Sequence, residues 1–235
     1  MLIDAHAHLD VDRPQLRTLL CGTEPVSAAK VIARRGETVI PCCAVHPWNA
    51  DRVRVEEMLP YIEQCPVLGE IGLDSVWTDV DMAAQRRAFH AQLELAQQMK
   101  KPIVLHTKGM EAEIARTIAR CDQRKLVHWY SCMEHLEMYL DQDCWFTVGP
   151  DWKSNAAVQQ VLRRAPLDRL LTETDGLSAV EWALGRSVAP DEIPDVLRGE
   201  LAAIAKAKGI SPDEAERAVE ANLEAFLGSA LERSH

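Results

Sequence analysis

Residues 66–107, PVLGEIGLDSVWTDVDMAAQRRAFHAQLELAQQMKKPIVLHT, hold the pattern that recurs along the chain. An apolar run, PVLGEIGL (66–73), leads into a stretch that sets Met82, Phe89, Leu93 and Ala96 on one face at helical spacing, with Arg and Gln on the other. A second apolar run, PIVLHT (102–107), follows. Continuous apolar runs mark strands buried on both faces, as in a parallel sheet, and the amphipathic segment between them predicts a helix over 81–100 that packs on the sheet. Six more runs of this kind are MLIDAH (1–6), LRTLLCGT (16–23), TVIPCCAVH (38–46), KLVHWYS (125–131), CWFTVG (144–149) and RLLTETD (169–175). Ser211, Pro212 and Glu214 form a helix start with a capping box, and Ala215, Ala218, Val219, Leu223 and Phe226 give its apolar stripe before Gly228 stops it.

Strands alternating with helices in this way predict an α/β fold, a TIM (β/α)8 barrel, as a single domain over residues 1–235. An open doubly wound sheet gives a similar alternation. The barrel is preferred because His, Glu and Asp stand at the ends of several different runs, where a barrel carries its chemistry. Between His8 and Leu16 lies only a short connection, and Pro14 discourages a helix across it, so the first barrel helix is expected to be truncated or missing. That would leave an apolar flank beside the first two strands, to be covered by the 177–206 region or by a second subunit.

Of the 235 residues, 47% are hydrophobic and 26% charged, the balance of a globular chain and not of a disordered or fibrous one. There is no run of about 18 apolar residues, and MLIDAHAHLD has no basic segment followed by an apolar stretch. Neither a membrane span nor a signal peptide is therefore expected, and a cytoplasmic location follows. The net charge of -10 repels nucleic acid over most of the surface, so any phosphate site must be local. Seven cysteines without a C-x-x-C pair read as buried small hydrophobes in a reducing compartment.

His6 and His8 form an H-x-H at the end of the first run, and side chains two apart on a strand face the same way. Glu70, His106, His128 and Asp175 stand at the fourth, fifth, sixth and eighth runs. Four imidazoles and two carboxylates suit two ions, with Glu70 as the bridge, because a carboxylate offers one oxygen to each and an imidazole nitrogen cannot. His6, His8 and Asp175 are assigned to one metal, and His106 and His128 to the other. Mixed N and O ligands fit two divalent ions of Zn, Mn, Ni, Fe or Co, and fit Mg or Ca less well.

The ordered set DAHAHLD, AVHPW, GEIGLD, IVLHTKG, LVHWYS, LLTETDG and VEANLEAFLG resembles the TatD family of metal-dependent deoxyribonucleases, of the amidohydrolase-like metallo-hydrolase superfamily. The resemblance implies a TIM barrel, a two-metal site on His6, His8, Glu70, His106, His128 and Asp175, and phosphodiester hydrolysis of exonuclease type on DNA. It also implies that His46 of AVHP lies near the substrate phosphate. The family's G-L-D-Y reads here Gly72-Leu73-Asp74-Ser75, and its H-C-F-S-G reads His128-Trp129-Tyr130-Ser131-Cys132.

The expected nucleophile is a metal-bridging hydroxide, with Glu70 holding the metals and Asp175 taking the proton and passing it to the leaving group. Lys108 and His46 are the expected substrate contacts. Trp48, Trp77, Trp129 and Trp152 follow strand ends and could stack bases, while Asp4 and Asp74 would orient metal-bound imidazoles. His90, His135 and His235 are expected to be uninvolved. Expected partners are DNA or a small phosphodiester, with the chain a monomer or homodimer. The alternative function is hydrolysis of an amide, lactone or ester on the same metal site.

Overall fold

The computed structural model describes residues 1–9 and 15–230. Eight parallel strands run in sequence order around one nearly closed barrel. They are β1 (Leu2–Ala7), β2 (Leu16–Gly22), β3 (Val39–Cys43), β4 (Val67–Asp74), β5 (Ile103–Lys108), β6 (Lys125–Val127), β7 (Trp145–Val148) and β8 (Leu170–Thr172). Each pairs with the next, and β8 meets β1 through the Thr172 hydroxyl, which donates to the Ile3 carbonyl at 2.6 Å. The Asp175 amide donates to the His6 carbonyl at 2.9 Å just beyond. This stitch brings the first and last ligand-bearing loops to one barrel mouth.

The outer layer is α1 (Pro25–Ala33), α2 (Val55–Ile62), α3 (Met82–Met99), α4 (Glu111–Ile118), α5 (Leu136–Leu140), α6 (Ala156–Arg164), α7 (Leu177–Leu184), α8 (Ile193–Lys208) and α9 (Pro212–Leu227). In α9 the Ser211 hydroxyl accepts from the Glu214 amide at 3.3 Å, and the Glu214 carboxylate accepts from the Ser211 amide at 2.8 Å, the expected capping box. Asp81 caps α3 by accepting from the Ala84 amide at 2.9 Å.

Two glutamines of α3 depart from the sequence reading, which set Gln on the outer face. Gln85 and Gln92 are buried. Gln85 accepts from the Asp74 amide at 2.8 Å and donates to the Asp74 carbonyl at 2.9 Å, and Gln92 does the same for Val45 at 2.6 and 3.1 Å. Strand-end backbone that has left the ladder needs such partners when it is buried. The helix thus fixes the two places from which Asp74 and His46 project.

Among the described residues no helix stands between β1 and β2; Pro14, which motivated that expectation, lies outside them. The flank left bare is packed by the chain itself: Leu16 joins Val180, Val188, Ile193 and Leu197 in a separate buried cluster. Among the described residues no helix is long and apolar enough to cross a membrane. All seven cysteines are free thiols, five of them buried.

Candidate metal centre

Glu70, in the middle of β4 and 1% exposed, is the hub of the barrel mouth. Its Oε2 lies 3.4 Å from His6 Nε2 and 3.4 Å from His8 Nε2. Asp175 Oδ1 lies 3.3 Å from each of the same two nitrogens. These separations are long for hydrogen bonds, and His6 Nε2 and Glu70 Oε2 are buried without a hydrogen-bond partner. They have another meaning. An ion bonded tetrahedrally at about 2.0–2.1 Å holds its donors about 3.3–3.4 Å apart, the edge being about 1.63 times the bond. These four nitrogen–oxygen separations among His6, His8, Glu70 and Asp175 are ones that donors around a divalent cation adopt.

The other carboxylate oxygen faces a different pair. Glu70 Oε1 is 2.6 Å from His128 Nε2 and 2.7 Å from His106 Nδ1, and these two nitrogens are 3.3 Å apart. The far side of His106 is held by Asp74, whose Oδ2 lies 2.9 Å from His106 Nε2. Both ring nitrogens of His106 face a carboxylate in the bare chain; with a cation bound, a proton kept on Nε2 by Asp74 would free Nδ1 for the metal, the arrangement in which a carboxylate orients a metal-binding imidazole. Asp74 also accepts from Trp48 Nε1 at 2.7 Å and from the Val76 and Trp77 amides at 2.8 Å. Burial alone would raise its pKa, but His106 and these donors hold it well below the usual carboxylate range. Asp4 accepts from the Thr174 amide and hydroxyl at 2.9 and 2.7 Å, shaping the end of β8.

The electrostatics show what the centre lacks. Burial opposes a charge on His8, yet Asp175 and Glu70 lift it to about 10; burial opposes one on His128, yet Glu70 lifts it to about 10 as well. Asp175, despite burial, is held far below its ordinary value by His6 and His8. Buried Glu70 and partly buried Asp175 call for positive charge, which protons supply in the bare chain and which cations would replace.

His46 is brought into the same cluster, with Nε2 3.5 Å from Glu70 Oε2. Burial pushes it down to about 4, so its ring is neutral at ordinary pH. Its Nδ1 accepts from the Trp48 amide at 3.1 Å, which puts the ring proton on Nε2. His46 thus presents a donor into the mouth, not a lone pair. Lys108 stands on the wall, donating to the Ser131 hydroxyl at 2.9 Å and lying 5.5 Å from the centre of the Trp77 ring.

The cluster opens into a cavity of about 680 Å³ lined by Trp48, Trp77, Trp129 and Trp182 among others. Trp152, expected beside them, is not among the lining residues; like Trp129 it packs against the main core. His90 and His135 are exposed, and His235 lies outside the described residues. Two residues escaped the sequence reading. Glu173 is fully buried with both oxygens lacking hydrogen-bond partners, and its Oε2 is 3.5 Å from His128 Nδ1. The signal was present, since Glu173 stands two before Asp175 in LLTETD. Trp182 sits on α7, away from any strand end, where no such signal exists.

The profile of the TatD related DNase family matches residues 3–228. An uncharacterized metal-dependent hydrolase of Escherichia coli K12, YcfH, is 28% identical over 148 residues, which cover 59% of this chain and 56% of that protein. The chain thus matches little over half the length of this relative. The 3'-5' ssDNA/RNA exonuclease TatD of Citrobacter rodentium is 25% identical over 208 residues, covering 80% of this chain and 76% of that one. Among solved structures, YjjV of Escherichia coli K12, a TatD homologue, superposes with a TM-score of 0.80 at 21% identity, covering 96% and 97% of the two chains. With its profile matched from Ile3 to Gly228 on this barrel, the chain belongs to the TatD related DNase family.

Proposed function

We propose that this chain is a two-metal phosphodiesterase, a deoxyribonuclease of exonuclease type. His6, His8 and Asp175 hold one divalent cation, His106 and His128 the other, and Glu70 serves both. The observation that carries this reading is the division of Glu70, whose Oε2 faces His6 and His8 while its Oε1 faces His106 and His128. Family membership and the name of the Citrobacter relative support a nucleic-acid phosphodiester as substrate. The donor set favours Zn, Mn, Ni, Fe or Co over Mg.

Two bound cations would activate water at neutral pH and neutralise charge on the phosphoryl group. The chain's own residues supply the remainder. Asp175, a quarter exposed at the mouth and ionised at every ordinary pH, is the carboxylate that accepts the proton of the attacking water and returns it to the leaving oxygen. His46 donates from Nε2 to a phosphoryl oxygen, and Lys108 adds a positive charge on the approach. Asp74 and Gln85 hold His106 in place from behind.

The test is hydrolysis of a labelled single-stranded DNA by metal-reconstituted protein, beside a panel of amides, lactones and esters, with Glu70→Ala as the blank. Metal-dependent release of nucleotides that disappears in the blank is the expected result. Turnover confined to a carbonyl substrate, still dependent on Glu70, would replace the phosphodiesterase reading with the carbonyl one.

A further inference from the structure

One wall of the cavity is made of indoles that nothing in the metal centre requires. Trp77, in the loop after β4, and Trp129, after β6, each approach Trp182 of α7 edge to face, with ring centres 6.0 Å apart in both pairs. Trp77 is 53% exposed and Trp182 63% exposed, although the chain has a large core in which to hide such rings. Trp129 is the fixed member. Its Nε1 donates to Asp151 at 2.8 Å, its backbone amide donates to Thr147 at 2.8 Å, and its ring lies so close on Gly149 that a Cβ there would come within 2.7 Å of it. Its φ of +36° lies in the left-handed region, an uncommon conformation for a large residue.

We infer that Trp77, Trp129 and Trp182 form a stacking subsite for one unpaired nucleobase, that of the nucleotide whose phosphodiester lies at the metal centre. The proposal rests on the phosphodiesterase reading and adds what recognises the substrate. Three observations select this occupant. Trp129 follows the metal-site residue His128 directly and both line the one cavity, so a group on the wall and a phosphate on the centre share that space. Lys108, the one Lys or Arg among the described residues lining the cavity, borders the wall, over the Trp77 ring and hydrogen-bonded to Ser131. With a net charge of -10 there is little to track a backbone of many phosphates, and aromatic stacking is the interaction that holds a base without one.

The experiment measures binding rather than turnover, so that its failure is separate from failure of the phosphodiesterase reading. Metal-loaded wild-type protein, Trp182→Ala, Trp77→Ala and Trp182→Phe are titrated calorimetrically with thymidine 5′-monophosphate and with deoxyribose 5-phosphate, which lacks the base. Both Trp positions are more than half exposed, so truncation leaves the core intact. Each Trp→Ala change is expected to weaken thymidine monophosphate binding by roughly 5- to 140-fold and to leave deoxyribose phosphate unchanged, and Trp182→Phe is expected to keep most of the affinity that Trp182→Ala loses. Equal losses for both probes, no loss for the nucleotide, or failure of the wild type to prefer the base-bearing probe would each overturn the subsite. Hydrolysis of DNA by the same wild-type preparation reports on the phosphodiesterase reading independently.

Discussion

If Glu70 serves two cations, removing it must cost twice what removing a ligand of one does, and thermal stability reads this directly. A ligand present at about 100 times its Kd stabilises the native state by about 2.7 kcal/mol, and in a domain of 150–250 residues each kcal/mol moves Tm by about 2–4 °C. One metal site is then worth about 5–11 °C and two about 11–22 °C. His8 belongs to one donor set only, with Nε2 facing Glu70 Oε2 and Asp175 Oδ1, and its side chain is 35% exposed, so truncation leaves little void. Glu70→Gln keeps the shape of the hub and removes its charge.

Differential scanning calorimetry of the wild type, His8→Ala and Glu70→Gln, each with and without added Zn or Mn, tests this. The metal-induced rise in Tm should be full in the wild type, about half in His8→Ala, and close to zero in Glu70→Gln. A Glu70→Gln protein that keeps at least the rise seen in His8→Ala would refute the shared carboxylate, because one intact set on His106 and His128 would then be enough.

Three further outcomes are expected. Glu200 is buried, and burial together with the nearby Asp4 and Glu173 charges raises its carboxyl well above 4.5. The native state therefore holds this proton longer than the unfolded chain, stability from it is full below pH 4.5 and is lost as pH rises toward the native value. Glu200→Gln should match the wild type near pH 4 and gain on it above, by on the order of 1 kcal/mol per pH unit, with chemical denaturation at several pH values as the check. Leu197→Ala opens the cluster that covers Leu16 and should cost about 2–5 kcal/mol in urea unfolding; a loss under about 0.5 kcal/mol would mean that flank is not packed. With Lys108 as the cavity's cation, the affinity of the metal-loaded protein for single-stranded DNA should fall with salt at a log-log slope near -0.7, and a several-fold steeper slope would reveal a phosphate track elsewhere.

The barrel and the grouping of the candidate ligands at its mouth were legible because both rest on short-range periodicity. His6 and His8 share a face by the two-residue strand repeat, and Glu70, His106 and His128 each stand within or just after an apolar run. What stayed hidden depends on three-dimensional partners. Gln85 and Gln92 read as surface residues by type, yet they turn inward to hydrogen-bond the strand-end backbone at Asp74 and Val45. The eighth run was read as a strand through Asp175, whereas β8 ends at Thr172 and Asp175 turns to a φ of +57° to face His6 and His8. The proton on His46 Nε2 follows from an amide that donates to Nδ1, a contact no residue pattern encodes. Trp152 was misplaced for a similar reason: a position after a strand end says nothing about whether an indole folds onto the core or over the mouth.

Left-handed backbone in residues other than glycine costs on the order of 1–3 kcal/mol and persists where surroundings over-determine it. Asp175 is one such residue, fixed by its amide on the His6 carbonyl, and Trp129 is the other at the mouth, fixed by Thr147 and Asp151. The two positions do different jobs. At Asp175 the turn brings a carboxylate to His6 and His8, while at Trp129 it separates two consecutive side chains, leaving His128 on Glu70 and laying the indole on Gly149. On the proposed function, a chain of net charge -10 with an anionic substrate must concentrate attraction in a small volume, and here a carboxylate hub that would hold cations shares its cavity with an aromatic wall. On this account a charge-reversed surface is unnecessary, and the strain at Trp129 is the structural link between the centre that would cut the phosphodiester and the wall that would hold its base.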